Sequence, residues 1–211
     1  MYWKVITLAA CLAVCAAIVC AQGGTTTSPA TKRKAPTPEQ TAAVKKQGRY
    51  LATIMMKDGK KIEVVLEGGL MPYTVANFIN LANSGFYNGL TFHRVEPGFV
   101  IQGGDPDGNG SGGPGYEIKL EISDRLIHTK GAISMARTSV PDSAGSQFFI
   151  TLADAPFLDG SYAVFGWVKS GMNVVEKVKV GDVMQIVTVK PYAGKEPIPN
   201  RAKRPVTNQT R

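Results

Sequence analysis

Between Tyr50 and Val189 the chain consists of short apolar runs separated by turn signals, and this pattern excludes most folds before any motif is considered. Residues 50–56 and 61–66 alternate around Asp58-Gly59, the signature of a β-hairpin. Further strands are predicted at 91–95, 100–102, 133–135, 148–152, 164–168 and 184–189. Helical spacing is found over residues 72–83, where Val75, Phe78, Ile79 and Ala82 share a face, Pro72 suits the first turn and Gly85 lies just past the end. Residues 172–178 form a shorter candidate. Many short strands with two helices predict a mainly β fold, an eight-stranded antiparallel barrel that is closed or nearly closed and capped by two α-helices.

The 211 residues carry a formal net charge of +8, which invites a nucleic-acid reading until its distribution is followed. Residues 22–49 hold Lys32, Arg33, Lys34, Lys45, Lys46 and Arg49 against Glu39, a balance of +5. Residues 190–211 reach the same +5, whereas 50–189 hold 14 acids against 11 bases. A folded domain that binds nucleic acid concentrates positive charge on its structured surface. Here the charge sits in the flanks, so no nucleic acid is expected, and an anionic envelope surface is the partner that the basic flanks suit.

Residues 22–48, with Pro29, Pro36 and Pro38 among Thr, Ala and Lys, are predicted to be a disordered basic linker, and 191–211 a disordered basic tail. The globular domain is then 49–190, a size at which a single core is stable. Lys4 followed by an uncharged run over 5–21 predicts a signal peptide at 1–21 and an exported protein. Cleavage before Gln22 ranks first, a lipid anchor second and an uncleaved membrane anchor third. Cys11, Cys15 and Cys20 all fall in that run, so the remainder of the chain contains no cysteine.

Several motifs imitate chemistry. Gly108-Asn109-Gly110-Ser111-Gly112-Gly113 matches the dinucleotide fingerprint G-x-G-x-x-G, yet it lacks a strand before it and a helix after it, and Pro114 follows at once. A mobile surface loop is the better account. Asp105-Pro106-Asp107-Gly108-Asn109-Gly110 begins like a calcium loop, but Tyr116 occupies the position that needs a bidentate acid. His93 and His128 have no metal-ligand spacing, and Ser146 is not in a nucleophile elbow. No metal and no cofactor are expected.

What remains is a polar pair among apolar residues. In the segment from Phe92 to Asp105, two short strands flank Pro97-Gly98, and an antiparallel hairpin brings Arg94 and Gln102 together with Phe99 beside them. By itself this reads as an exposed arginine on a strand face with a glutamine at its rim.

The segment F-H-R-V-E-P-G-F-V-I-Q-G-G-D, followed in order by Gly145-Ser146-Gln147-Phe148-Phe149-Ile150, Phe157-Leu158-Asp159-Gly160 and Tyr162-Ala163-Val164-Phe165-Gly166, resembles the cyclophilin family of peptidyl-prolyl cis-trans isomerases. The resemblance spans the whole globular part. It implies an eight-stranded barrel with two helices, Arg94 as the catalytic arginine and Gln102 as the residue that orients it. It further implies a proline pocket of Phe99, Val100, Phe149 and Leu158, bordered by Ala136 and Gln147 and walled by Phe157 and Tyr162. The implied partners are proline-containing polypeptides, met as a monomer. Phe157 and Tyr162 replace a tryptophan and a histidine of many eukaryotic members, which implies weak cyclosporin binding. Arg137 replaces an asparagine common in the family, an exchange of little consequence if the position acts through its backbone. A proline-binding holdase module without turnover is the alternative, and the presence of both Arg94 and Gln102 favours the enzyme.

Overall fold

The computed structural model describes residues 33–200. The expectations for the segment 1–21, for the first part of the linker and for 201–211 lie outside the described residues.

The elements follow in the order α1 (Pro38–Gln47), β1 (Arg49–Met56), β2 (Lys61–Glu67), α2 (Pro72–Asn83), β3 (Phe92–Glu96), β4 (Val100–Gly103), β5 (Ala132–Met135), β6 (Phe148–Thr151), a 3₁₀ turn (Pro156–Leu158), β7 (Val164–Ser170), α3 (Met172–Val175) and β8 (Met184–Pro191). All eight predicted strands are present. They form one antiparallel sheet in the order β3-β4-β6-β5-β7-β2-β1-β8.

The sheet curls until its two edges meet, but the expected full closure is too strong a description. β3 and β8 share no ladder. The gap is crossed beside their ends by Gly89 N–H donating to Met184 O (2.8 Å), Met184 N–H to Leu90 O (2.8 Å), Phe92 N–H to Asp182 O (2.9 Å) and Gly181 N–H to Phe92 O (3.0 Å). These bonds satisfy edge groups that would otherwise be left open.

The interior is filled from one face of the strands and from α2. Val95, Ile101, Ile150 and Ile133 are successive cross-strand partners, and the last three are fully buried. Phe78 of α2 reaches into this core and meets Tyr87, Phe148 and Phe165 at centroid distances of 5.0, 5.5 and 5.4 Å. Such aromatic contacts add to the area that each ring buries. α2 has no cap from its own N-terminal residues. Glu121, distant in sequence, takes the free Tyr73 and Thr74 N–H groups at 3.1 and 2.7 Å, where a carboxylate also suits the helix dipole.

Both flanks depart from expectation. Within the predicted linker, Thr37-Pro38-Glu39-Gln40 forms a capping box that starts α1, with Pro38 in its first turn. The helix has almost no apolar face, so periodicity did not reveal it. Its docking depends on Val44, which is buried, and on reciprocal amide bonds between Gln40 and Asn80 of α2 (3.3 and 3.1 Å). Gly68 permits the approach, because a Cβ there would lie 2.7 Å from Val44 Cγ1.

The start of the predicted tail is also held. Arg49 donates from Nε to Glu67 (2.5 Å) and from Nη1 to the carbonyls of Gly194 (3.2 Å) and Glu196 (2.7 Å), while its guanidinium lies 5.3 Å from the Trp167 ring centroid. Ile198 packs on the core. One arginine thus fastens the end of the α1 segment and residues 192–198 to the same side of the sheet.

Val44→Ala removes two buried methyl groups and is expected to cost about 1–2 kcal/mol, a drop of about 3–6 °C in melting temperature for a domain of this size. Thermal denaturation of the full chain checks this. An unchanged melting temperature would show that α1 does not contribute to the folded domain.

Candidate active site

Cross-strand pairing sets the site. Arg94 of β3 pairs with Gln102 of β4, Gln102 with Phe149 of β6, and Phe149 with Ser134 of β5. Directly paired residues project to the same face, so these four form a row on the face opposite the isoleucine core. The turn that starts it is Glu96-Pro97-Gly98-Phe99, closed by Phe99 N–H donating to Glu96 O (2.9 Å), with Gly98 at φ 73°. Proline at the second position and a left-handed glycine at the third are what a type II turn requires.

At the polar end of the row, Arg94 Nη1 donates to Gln102 Oε1 (3.1 Å), and Arg94 Nε faces Glu96 Oε1 at 3.5 Å. Gln102 Nε2 donates to Gln147 Oε1 (2.9 Å), and Gln147 Nε2 donates to the carbonyls of Gly110 and Gly112, both at 2.9 Å. Two carbonyls at the far end accept only, so Gln147 must turn its NH₂ to them and its oxygen to Gln102. Gln102 then has its oxygen free for Arg94. The polarity of both amides follows from the glycine loop.

That loop was expected to be mobile surface. Its carbonyls instead have a fixed task, because Asp105, 1% exposed, accepts from Asp107 N–H (2.8 Å), Asn109 N–H (2.9 Å) and Gly110 N–H (2.5 Å). Burial pushes the Asp105 carboxyl up, but the three N–H donors and the nearby His93 outweigh it and leave the pKa below the usual value of 3.8. Burial pushes His93 the other way, below 6.5, with the Asp105 charge opposing it.

The apolar end is marked by detachment from the core. Val100 and Phe149 are buried yet lie outside the core cluster, and half-buried Phe99 and Leu158 do not pack against it either. Phe149 meets Tyr162 edge-on at 5.9 Å and stacks on His128 at 5.8 Å. Phe99 stacks on Phe157 at 5.6 Å, and Phe157 is 71% exposed. Beside these side chains a cleft of about 820 Å³ is bordered by Gln102, Gln147, Ala136, Arg137 and the glycine loop. The result is an apolar floor with the Arg94 guanidinium at its exposed edge and Arg137 on the border of the cleft.

Family comparison agrees with this geometry. The family described as "Cyclophilin type peptidyl-prolyl cis-trans isomerase/CLD" matches residues 51–197. The chain belongs to the cyclophilin family. It is 52% identical over 137 residues to the peptidyl-prolyl cis-trans isomerase B of Bacillus subtilis (strain 168), covering 64% of this chain and 95% of that one. It is 50% identical over 119 residues to a peptidyl-prolyl cis-trans isomerase of Helicobacter pylori (strain ATCC 700392 / 26695), with 55% and 72% covered. A crystal structure of a Cryptosporidium parvum cyclophilin-type isomerase in the presence of the dipeptide Ala-Pro superposes with a TM-score of 0.62 at 32% identity, covering 66% of this chain and 98% of that one.

Of the site residues read from this cyclophilin sequence, Arg94, Gln102, Gln147, Phe149 and Tyr162 form one connected set, and Phe99 with Phe157 a second pair. Leu158 lies between the two in the 156–162 segment, Val100 shares the face of Gln102, and the Ala136 N–H donates to Gln147 O (2.9 Å). Sequence reading missed His128, Ser134 and Asp159. His128 Nδ1 lies 2.9 Å from Asp159 Oδ1 and its Nε2 3.1 Å from Ser134 Oγ, which fixes the ring under Phe149. His128 and Asp159 are 31 residues apart, so no local signal joins them.

Because Asp105 titrates below its ordinary value in the fold, its contribution is present above pH 3.8 and lost as pH falls through the folded pKa. Hydrogen exchange at the amides of Asp107, Asn109 and Gly110 is expected to lose protection in that acid range. Asp105→Asn should lose it at neutral pH, at a cost of about 1–3 kcal/mol. Equal protection in the variant would show that the carboxylate does not hold the loop.

Proposed function

We propose that the row from Arg94 to Phe149 carries the reaction of this cyclophilin, rotation about Xaa-Pro peptide bonds. Partial double-bond character gives that rotation a barrier of about 18–20 kcal/mol, while the two isomers of Xaa-Pro differ by about 0.5–1 kcal/mol. Catalysis therefore needs a lower barrier and no driving force. No bond is made or broken, so no acid, base or nucleophile is required.

In the twisted transition state the prolyl nitrogen loses conjugation and accepts a hydrogen bond. A guanidinium aimed at it acts more strongly there than in either planar isomer, which is the condition for raising turnover. The observation that carries this reading is the Arg94 guanidinium, exposed and steadied by Gln102 while its Nη2 remains available, at the edge of apolar side chains that have left the core. Arginine stays charged at any working pH and presents a rigid fork of donors. Phe99, Val100, Phe149 and Leu158 would grip the pyrrolidine ring while the preceding residue turns, and their low polarity strengthens the arginine's field.

The uncharged run over 5–21 supports export, and with it clients that fold outside the cytoplasm. The exposed Lys45 and Lys46 of α1 support attraction to anionic surfaces, a reading that salt-sensitive sedimentation with anionic vesicles tests.

Arg94→Ala is expected to fold normally and lose about 10²–10³ in kcat, measured by a proline-isomerisation assay on the full chain. Near wild-type turnover would sink the mechanism. Cyclosporin should bind weakly, because Phe157 lacks an indole N–H and a ligand carbonyl beside it would be left unpaired, a deficit of about 1–3 kcal/mol. Titration of the isomerase activity of wild type and Phe157→Trp with the drug is expected to show the higher potency on the variant. Equal potency would remove Phe157 from the drug-contacting wall.

A further inference from the structure

A second arginine borders the site, and its environment is the opposite of that of Arg94. Half-buried Arg137 lies two residues past the end of β5. Its Nε and Nη2 both donate to Ser161 O (2.9 and 2.8 Å), and its Nη1 donates to Thr138 O (2.8 Å) and Ser139 O (3.3 Å). Four donor contacts thus go to main-chain carbonyls, and the guanidinium has little left to offer a ligand. Its plane also lies 4.7 Å from the centroid of the Tyr162 ring, within cation–π range.

The bonds to Ser161 and the ring contact fall on the segment that carries Phe157, Leu158 and Tyr162. The segment is short of regular structure. A 3₁₀ turn at Pro156–Leu158 is followed by Gly160 at φ 74°, and Met135 N–H donates to Ala163 O (3.0 Å) where the strand pairing resumes. It is held at two further points. At one, the Asp159 carboxylate accepts from His128 N–H (2.8 Å). At the other, Arg137 ties Ser161 O to the 138–139 backbone and covers Tyr162, whose ring stands nearly perpendicular to that of Phe149.

We propose that Arg137 is a positioning residue that sets the width of the proline pocket by holding Tyr162 against Phe149. This rests on the site assigned above and assigns to the Arg137 side chain a role in substrate grip, in place of the small consequence expected of a position acting through its backbone. The contact exists before, during and after the bond rotates, so it contributes equally to ground and transition states. Its loss therefore raises KM and leaves kcat nearly unchanged, the reverse of Arg94→Ala.

The test compares wild type, Arg137→Ala, Arg137→Lys, Tyr162→Ala and the double variant Arg137→Ala/Tyr162→Ala as full chains. kcat, KM, melting temperature and the Kd of an Ala-Pro-containing peptide, by calorimetry, are measured for each. Arg137→Ala is expected to raise KM and Kd about 5- to 10-fold with kcat within about twofold. The double variant should bind no worse than the weaker single variant, because both remove the same wall. Arg137→Lys keeps the charge over the ring but cannot bridge two carbonyl groups with a rigid fork, and should recover only part of KM. If Arg137→Ala does not fold, Arg137→Lys and Tyr162→Ala supply the reading. An unchanged KM in the lysine variant, a fall confined to kcat, or additive effects on Kd would overturn the proposal. Retained turnover in Arg94→Ala, run alongside, would overturn the mechanism instead, while the coupling between Arg137 and Tyr162 is still read in the peptide Kd.

Discussion

The register of four neighbouring strands is the constraint on which the site depends. With Gln102 paired to Arg94 on one side and Phe149 on the other, Ile101 is necessarily paired to Val95 and Ile150, and the isoleucine side is the one that reaches the core. A slip of one residue would exchange the faces, putting a guanidinium and an amide into the interior and two isoleucines into water. Burying an unpaired charge costs far more than any single surface contact returns. Core formation and alignment of the row are therefore one event, because the hydrophobic effect that selects the register also brings Arg94, Gln102, Phe149 and Ser134 into line.

The site then needs its polar groups oriented as well as placed. An amide can be turned over with little change in shape, and a flipped Gln102 would present N–H groups to Arg94. The loop carbonyls of Gly110 and Gly112 remove that freedom through Gln147, and Asp105 fixes the loop through its backbone N–H groups. Order is passed from a buried carboxylate to an exposed guanidinium by hydrogen bonds whose direction is set by donor and acceptor inventory alone. This is the work of a segment that superficially matches a dinucleotide fingerprint.

The sheet was legible in the sequence because its strands are runs of 4–8 residues rich in apolar and β-branched side chains, some alternating and some buried on both faces, and turn residues bound them. The pairing of Arg94 with Gln102 was legible for the same reason: a Pro-Gly turn between two short strands leaves few registers. The helix α1 was hidden because its start is encoded by a capping box and its docking by Val44 and one amide pair, signals that a search for an apolar stripe passes over. Asp105 was read as a metal-loop imitation. Its real partners are backbone N–H groups, which every residue except proline carries and which no side-chain pattern announces. His128 and Asp159 meet only after β5 and β6 have paired, so their contact is a consequence of tertiary structure.

The two arginines at the rim show how one residue type serves opposite ends. Arg137 has its donors committed to carbonyls of two loop segments, an arrangement that fixes backbone and leaves little for substrate. Arg94 is anchored lightly, by a neutral amide and by a carboxylate at 3.5 Å that is itself exposed. A close buried ion pair at Arg94 would hold the guanidinium more firmly, but it would also draw the donors away from a weakly basic prolyl nitrogen and offset the positive field there. A neutral partner orients without neutralising. The mechanism proposed for Arg94 needs a cation that is steady and still able to donate, and glutamine, with its own direction fixed by the glycine loop, suits both requirements.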